Sequence, residues 1–384
     1  MLPSLKFLYE KLASKKELYG EKMKKVLYPF SDTHPRCGEG SGVLLSDGKV
    51  LLVYSLFTGT ADHDHSELVS AVFDCETGTL SDEKIIHRQG HYLNQMSVSL
   101  ERLKDGSIGL LWIRKLSGKH NEILFSRSFD EGKTWSVPCK VLPVDTYPDY
   151  VVVNNDRLRQ LRSGRLIIPA CVYPGGFDEI PSKLELWYSD DMGGKWQRSE
   201  IKPCSDPVKP EPYACEAPFE QVCAGKYKEQ EPGVEECADG SLYYYCRTIL
   251  GYMYNARSFS QGKEFTELSA QTDIVSPLAP QSIRREPGSE RLWCVYNDQS
   301  AIAYGDVANH WGWRTPLMLA YSDDNGQHWQ KFRKIEDESH NYCYTSITFI
   351  ENKKVLLSYY ESENRADGTR RNLASFKAQM IDLP

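Results

Sequence analysis

The stretch RSFDEGKTW at residues 127–135 has two relatives further along the chain, YSDDMGGKW at 188–196 and YSDDNGQHW at 321–329. All three spell Ser-x-Asp-x-Gly-x-x-Trp. A degraded copy, SFSQGKEF at 258–265, keeps Gly262 and replaces the Asp and the Trp. In a turn, an Asp side chain accepts backbone N–H groups and a Gly supplies positive φ. A Trp can anchor such a turn on its neighbours. The box therefore reads as a staple of the fold. Asp130, Asp191 and Asp324 are expected to be structural, and the chemistry to lie elsewhere.

A second pattern interleaves with the boxes: a turn containing Gly, then an apolar strand. It appears as SDGKVLLVY (46–54), KDGSIGLLW (104–112), RSGRLIIPA (162–170) and ADGSLYYYC (238–246), with looser copies GSERLWCVY (288–296) and ENKKVLLSY (351–359). Each begins with hairpin-turn residues and continues with Leu, aromatic or β-branched residues. Six such units of several short strands, with no long helical period, predict radial repetition. The expected fold is all-β, a six-bladed β-propeller with four-stranded antiparallel blades. A linear solenoid is the second choice.

The repeats can be superposed by counting. Nine residues before each turn lie Glu39, Ser97, Asn155, Glu231, Ala279 and Tyr344; seven residues after it lie Ser55, Ile113, Cys171, Arg247, Asn297 and Tyr360. On adjacent antiparallel strands both sets fall at one end. Positions near a core should be apolar, so a rim carrying two Glu, two Tyr, two Asn and an Arg points to a pocket. Nearby segments add to it: Arg36 in HPRCGEG, Asp62, His63, Asp64 and His65 in FTGTADHDHSE, Asn154, Asn155, Asp156 and Arg157 in VVNNDR, and Arg314 in WGWRTPL. The Asp/His loop has the residue types of a metal site, but metal ligands usually come from several elements, which argues against that reading.

Composition narrows the classes. The chain of 384 residues carries 23 Tyr, 13 Phe and 8 Trp, enough aromatic mass for a strand-rich core, and a net charge of −7 without a basic stripe. Nucleic acid is not an expected partner. No apolar run is long enough to span a bilayer. Eleven Cys, with no CxxC pair, argue for reduced thiols and against a zinc site or disulfide scaffold. A cytoplasmic location, no cofactor and no metal are the expectations. Residues 1–26 are Lys-rich with near-helical apolar spacing. They are read as a separate extension, a helix packed on the propeller or an oligomer contact, ahead of a propeller spanning 27–384.

The boxes resemble the Asp-box (BNR) repeats of the sialidase superfamily, and the chain resembles its bacterial exo-α-sialidase-like members. The likeness rests on NQMSVSLERLKDGSI (94–108), VVNNDRLRQLRSGRLIIPA (152–170), EPGVEECADGSL (231–242), SPLAPQSI (276–283), RTPLMLAYSDDNGQHW (314–329) and YCYTSITF (342–349). It runs from about residue 30 to the end. The resemblance implies three arginines gripping a substrate carboxylate, an Asp acid/base, a Tyr nucleophile and a Glu that activates the Tyr. It maps the nucleophile to Tyr344, the activating Glu to Glu231, and two arginines to Arg247 and Arg314. For the acid/base it leaves Asp62, with Asp64 as the alternative. The usual Arg-Ile-Pro of the first arginine is absent. Arg36 lies off register and Glu39 takes the inward position.

A phenol suits an anionic substrate because it is neutral on approach, but at its ordinary pKa of about 10 it needs a base, for which Glu231 is placed. Neighbouring arginines are expected to favour the phenolate. Arg247 and Arg314 offer bidentate grips on a carboxylate, and Asp62 would protonate the leaving oxygen. Arg36, Glu39, Asn155, Asp156, Arg157 and Asn297 complete the expected substrate contacts. The expected activity is an exo-acting glycoside hydrolase of sialidase type, with a glycan or glycoconjugate as partner. Glu39 and the missing first arginine keep open a hydrolase for a neutral or uronic sugar. A non-catalytic glycan-binding propeller is the third alternative.

Overall fold

The structure is a computed structural model describing residues 24–88, 90–141, 150–176, 182–215, 217–224, 229–302, 313–351, 353–364 and 370–384. The helix expected near the start falls on residues outside this set, apart from Lys24–Val26, which open a strand. The molecule is all-β with a propeller arrangement. Chain order gives β1 (Lys24–Tyr28), β2 (Arg36–Leu44), β3 (Val50–Phe57), β4 (Ser66–Asp74) and β5 (Thr79–His87), then β6 (Asn94–Arg102), β7 (Ile108–Lys115), β8 (Asn121–Ser128) and β9 (Cys139–Lys140). Next come β10 (Tyr150–Val152), β11 (Arg159–Gln160), β12 (Leu166–Tyr173), β13 (Lys183–Ser189) and β14 (Gln197–Glu200), then β15 (Glu229–Glu236), β16 (Leu242–Thr248), β17 (Tyr252–Ser258) and β18 (Ser269–Val275). The last are β19 (Ser282–Arg285), β20 (Leu292–Asn297), β21 (Leu317–Ser322) and β22 (Gln330–Glu336), followed by β23 (His340–Ile350), β24 (Lys354–Asn364) and β25 (Arg370–Asp382).

Four sheets stand as separate blades: β6–β9, β10–β14, β15–β18 and β19–β22. The remaining strands form one eight-stranded sheet in the order β23-β24-β25-β2-β3-β4-β5, with β1 added on β25. Four blades thus stand apart, where the repeats led to an expectation of six. The physical reason is a parallel bridge, Arg36 opposite Ala374, which joins the chain's first and last blade-like groups of strands through their backbones.

The boxes do what the sequence indicates. Ser128, Ser189 and Ser322 each accept from the N–H of the box Gly four residues on, at 2.8–2.9 Å. The Asp at the third position accepts from the N–H four residues further, at 2.8–2.9 Å. In the degraded copy Ser260 replaces the Asp and accepts from Glu264 N–H at 2.9 Å. The box Gly has a second reason to be Gly. A Cβ on Gly132 would lie 2.4 Å from Leu51, and one on Gly262 would lie 2.3 Å from Leu186, each on the preceding sheet. The box therefore closes its own hairpin and seats it against the neighbour.

Around the axis the backbone of the inner strands needs partners, and one tripeptide supplies them. The Asn155 amide donates to the carbonyls of Gly40, Tyr344 and Thr345 at 2.8, 3.0 and 3.2 Å. Asp156 accepts from Ile347 N–H at 3.2 Å. Arg157 donates to the carbonyls of Pro232 and Gln281 at 2.7 Å each, and its own N–H donates to Ser99 Oγ at 2.7 Å. Three consecutive residues between β10 and β11 thus bind β2, β6, β15, β23 and the segment entering β19.

Candidate active site

Four inner strands break their ladder at the same place. The register shifts between Gly38 and Ser41, Met96 and Ser99, Gln230 and Gly233, and Cys343 and Ser346. In each bulge one non-glycine residue has positive φ: Glu39 (52°), Ser97 (58°), Glu231 (46°) and Tyr344 (51°). These are four of the six residues found by counting back from the turns. A bulge re-aims a side chain that the regular pleat would place elsewhere. A non-glycine residue in this region costs on the order of 1–3 kcal/mol. Four such strains at one level of the molecule are a mark of a site. The counting fails at Ala279, which precedes β19 and lies in no strand. In the β10–β14 sheet a turn replaces the bulge and Asp156 takes the positive φ, 58°.

The bulges bring distant residues together. The Tyr344 hydroxyl donates to Glu231 Oε1 at 3.3 Å. Arg247 Nη1 lies 2.6 Å from Glu231 Oε2, which also accepts from Asn154 Nδ2 at 2.9 Å. Arg314 reaches the pair from β21's approach. Its guanidinium carbon lies 5.5 Å from the Tyr344 ring centre, and its Nη1 donates to Tyr360 Oη at 3.3 Å and Cys343 Sγ at 2.9 Å. Burial pushes the Tyr344 phenol above its ordinary pKa, and Glu231 pushes the same way, against Arg314 and Arg247. The two guanidiniums favour the phenolate, as expected of them, but burial and the neighbouring carboxylate outweigh them. Burial also opposes the arginine charges, yet both stay raised, Arg247 through Glu231 and Tyr344, Arg314 through Cys343 and Tyr360.

Beside this group sits a second one. Arg36 Nη1 donates to Asp62 Oδ1 and Nη2 to Glu39 Oε1, both at 2.5 Å, and its guanidinium stacks 4.5 Å from the Phe57 ring centre. Glu39 is 2% exposed and also accepts from Ser97 Oγ at 2.8 Å. Burial lifts the Glu39 carboxyl against the pull of Arg36. Burial disfavours the Arg36 charge, but Asp62 and Glu39 hold its pKa up. Lys115 Nζ and Asn94 Nδ2 donate to the Asp62 carbonyl at 2.8 and 2.6 Å. Asp64 instead turns into its own loop, accepting from Ala61 N–H at 2.7 Å.

The other expected substrate contacts have their side chains engaged within the protein. Asn155, Asp156 and Arg157 are buried and their side chains are bound by inner-strand backbone, because the axis needed those donors and acceptors. Asn297 donates to the Tyr342 carbonyl at 3.1 Å and ties β20 to β23. Asn154, Tyr360, Cys343, Ser97 and Lys115 join the site beyond the residues expected there. Ser97 and Tyr360 stood in the counted positions, and Asn154 in the quoted VVNNDR, but Lys115 gave no sequence signal. Among the described residues no group of three or more His, Cys, Asp or Glu could hold a metal ion.

Comparison with known proteins follows the same lines. The chain is similar to a protein of unknown function from Dyadobacter fermentans, at 18% identity and a TM-score of 0.66, covering 94% of this chain and 98% of that one. It is similar to the intramolecular trans-sialidase of Ruminococcus gnavus, at 12% identity and a TM-score of 0.68, covering 94% and 97%. It is also similar to the NanB sialidase of Streptococcus pneumoniae, at 13% identity and a TM-score of 0.68, covering 94% and 71%. At these identities the likeness shows the fold. A search among curated proteins finds no match. Residues 76–357 match the family described as BNR repeat-like domain. With well over half its length matched, the chain belongs to the BNR repeat-like domain family.

Proposed function

We propose that this protein is an exo-acting glycoside hydrolase that releases a terminal acidic sugar. The observation carrying the reading is the Tyr344 hydroxyl 3.3 Å from Glu231, flanked by Arg247 and Arg314. In this reading Tyr344 Oη attacks the anomeric carbon as the bond to the leaving oxygen breaks. Glu231 takes the phenol proton, and Asp62 gives a proton to the leaving oxygen. Water then attacks the glycosyl-tyrosine, Asp62 accepts its proton, and Glu231 returns the proton to Tyr344. Two displacements at one carbon retain configuration. A neutral phenol, held protonated until Glu231 acts, can approach a substrate that bears a carboxylate.

Two buried donors support the acidic substrate. Arg247 Nε and Arg314 Nε have no hydrogen-bond partner among the described residues. Buried cationic donors without acceptors are costly, and a ligand carboxylate would supply acceptors. A second reading, a hydrolase for a neutral or uronic sugar, is favoured by Arg36, whose guanidinium is already shared by two acids. The six-bladed count belongs to the same proposal. Divided at the parallel β2–β25 bridge, the eight-stranded sheet becomes two antiparallel groups of four, β2–β5 and β23–β25 with β1.

A panel of methylumbelliferyl glycosides, including the sialoside, tests the reading. Turnover of the sialoside, abolished in Tyr344→Phe, is expected. Turnover of another sugar alone would favour the second reading, and glycan binding with no turnover of any member would leave a glycan-binding propeller.

A further inference from the structure

Arg36 is held between two carboxylates that differ in every respect relevant to movement. Glu39 belongs to the same strand, is 2% exposed, and is bound on its second oxygen by Ser97. The Asp62 side chain is 51% exposed and belongs to the loop between β3 and β4. Arg36 itself is fixed by Glu39 and by stacking on Phe57. The Asp62 main chain is fixed as well, through its carbonyl, by Lys115 and Asn94. With Arg36 held by Glu39 and Phe57, any exchange at this ion pair falls to the half-exposed Asp62 carboxylate. An ion pair with a guanidinium favours the ionised carboxylate, and an ionised carboxylate has no proton to give.

We propose that the substrate's carboxylate displaces Asp62 from Arg36, and that this exchange is what lets Asp62 take up a proton and become the acid. The inference rests on the acidic-sugar reading above. Asp62 holds the Arg36 Nη1 that a carboxylate ligand would take. When the ligand arrives, one anion replaces another on the guanidinium, and the released Asp62 carboxylate binds one proton from solvent. The groups facing it are then Glu39 from β2 and the ligand carboxylate, both favouring protonation, with Arg36 from β2 and Lys115 from β7 opposing it. The site arms its proton donor only when an anionic substrate is in place. A neutral glycoside leaves Asp62 on Arg36.

The test is calorimetric. The non-hydrolysable probe 2,3-dehydro-2-deoxy-N-acetylneuraminic acid is titrated into the full-length protein at one pH in buffers of different ionisation enthalpy, for wild type and Asp62→Asn. Thermal melts verify that the variant is folded. The exchange predicts net proton uptake on binding to wild type, lost in Asp62→Asn. It also predicts binding about three- to tenfold tighter to Asp62→Asn, because the internal competitor for Arg36 has gone, a size in keeping with a partly exposed ion pair. Binding without proton uptake, or weaker binding to Asp62→Asn, overturns the exchange and leaves the acidic-sugar reading standing. No binding to either protein, with the melts unchanged, overturns both.

Discussion

The phenolic oxygen of Tyr344 lies 3.3 Å from a carboxylate oxygen of Glu231 although 113 residues of chain separate them. Each sits at the bulge of an inner strand with positive φ. The strain at both residues is the cost of turning a hydroxyl and a carboxylate towards the same point, and neighbouring sheets hold them there.

Tyr344→Phe keeps the ring against Tyr360 and Arg314 and removes the hydroxyl. The expected outcome is a folded protein with a melting temperature within a few degrees of wild type. Its kcat on the substrate found by the glycoside panel should fall by about 10³-fold or more. Steady-state kinetics with a parallel thermal melt checks both parts.

Glu231→Gln acts differently, because it removes both the base and the partner of Arg247. A buried charge left without its counter-ion is costly, so stability should fall by about 2–4 kcal/mol, read from the denaturant midpoint. Loss of general-base assistance should lower kcat by about 10²- to 10⁴-fold. The Tyr344 phenol lies above its ordinary pKa through burial and Glu231. An ultraviolet difference titration of wild type against Tyr344→Phe should therefore show this residue ionising at higher pH than a free phenol.

The boxes should appear in the acid limb of stability. The Asp130 carboxyl is lowered to about 2 by Thr134, and Asp324 is lowered to about 2, where burial is outweighed by hydrogen bonds from His328 and Ser322. A depressed folded-state value stabilises above the unfolded value, near 4, and that stability is lost as pH falls towards 2. Urea midpoints should therefore drop between pH about 4 and 2. Asp130→Asn with Asp324→Asn should flatten that drop.

Gly132→Ala should destabilise far more than an ordinary turn substitution. Its φ is 81°, and an added Cβ would lie 2.4 Å from the Leu51 side chain. A loss of about 2–4 kcal/mol is expected, from strain plus overpacking. Gly48, also at positive φ (83°) but with nothing within 4 Å, is the control and should lose only the strain part.

The sequence made four inner positions legible because the Gly turn provides a fixed origin in each repeat. From that origin Glu39, Ser97, Glu231 and Tyr344 fall into line, although nothing in the residues announced the bulges that turn them inward. The counting failed where the blade departs from its relatives, at the Asn155–Asp156 turn and ahead of β19. It marked Asn155, Asp156 and Arg157 for substrate, whereas their side chains bind the backbone of inner strands. Polar residues near the axis can serve a ligand or the backbone of other strands, and only the folded partners decide between the two. Arg36 looked two or three residues out of place. The structure puts it opposite Phe57 at the mouth of β2, with Asp62 and Glu39 on its two ends. The continuous eight-stranded sheet was hidden for a similar reason, since its parallel bridge joins residues 36 and 374, at opposite ends of the chain.

The central claim is that Tyr344 is the nucleophile, and a trapped intermediate tests it most directly. Fluorine next to the anomeric carbon destabilises an oxocarbenium-like transition state, so a 2,3-difluoro analogue of the hydrolysed sugar should load the enzyme and leave slowly. Intact-protein and peptide mass spectrometry should then find one glycosyl group per chain, on the peptide containing Tyr344, and none on Tyr344→Phe. A label on another residue, or an enzyme that turns over the parent glycoside yet never becomes labelled, would contradict the account.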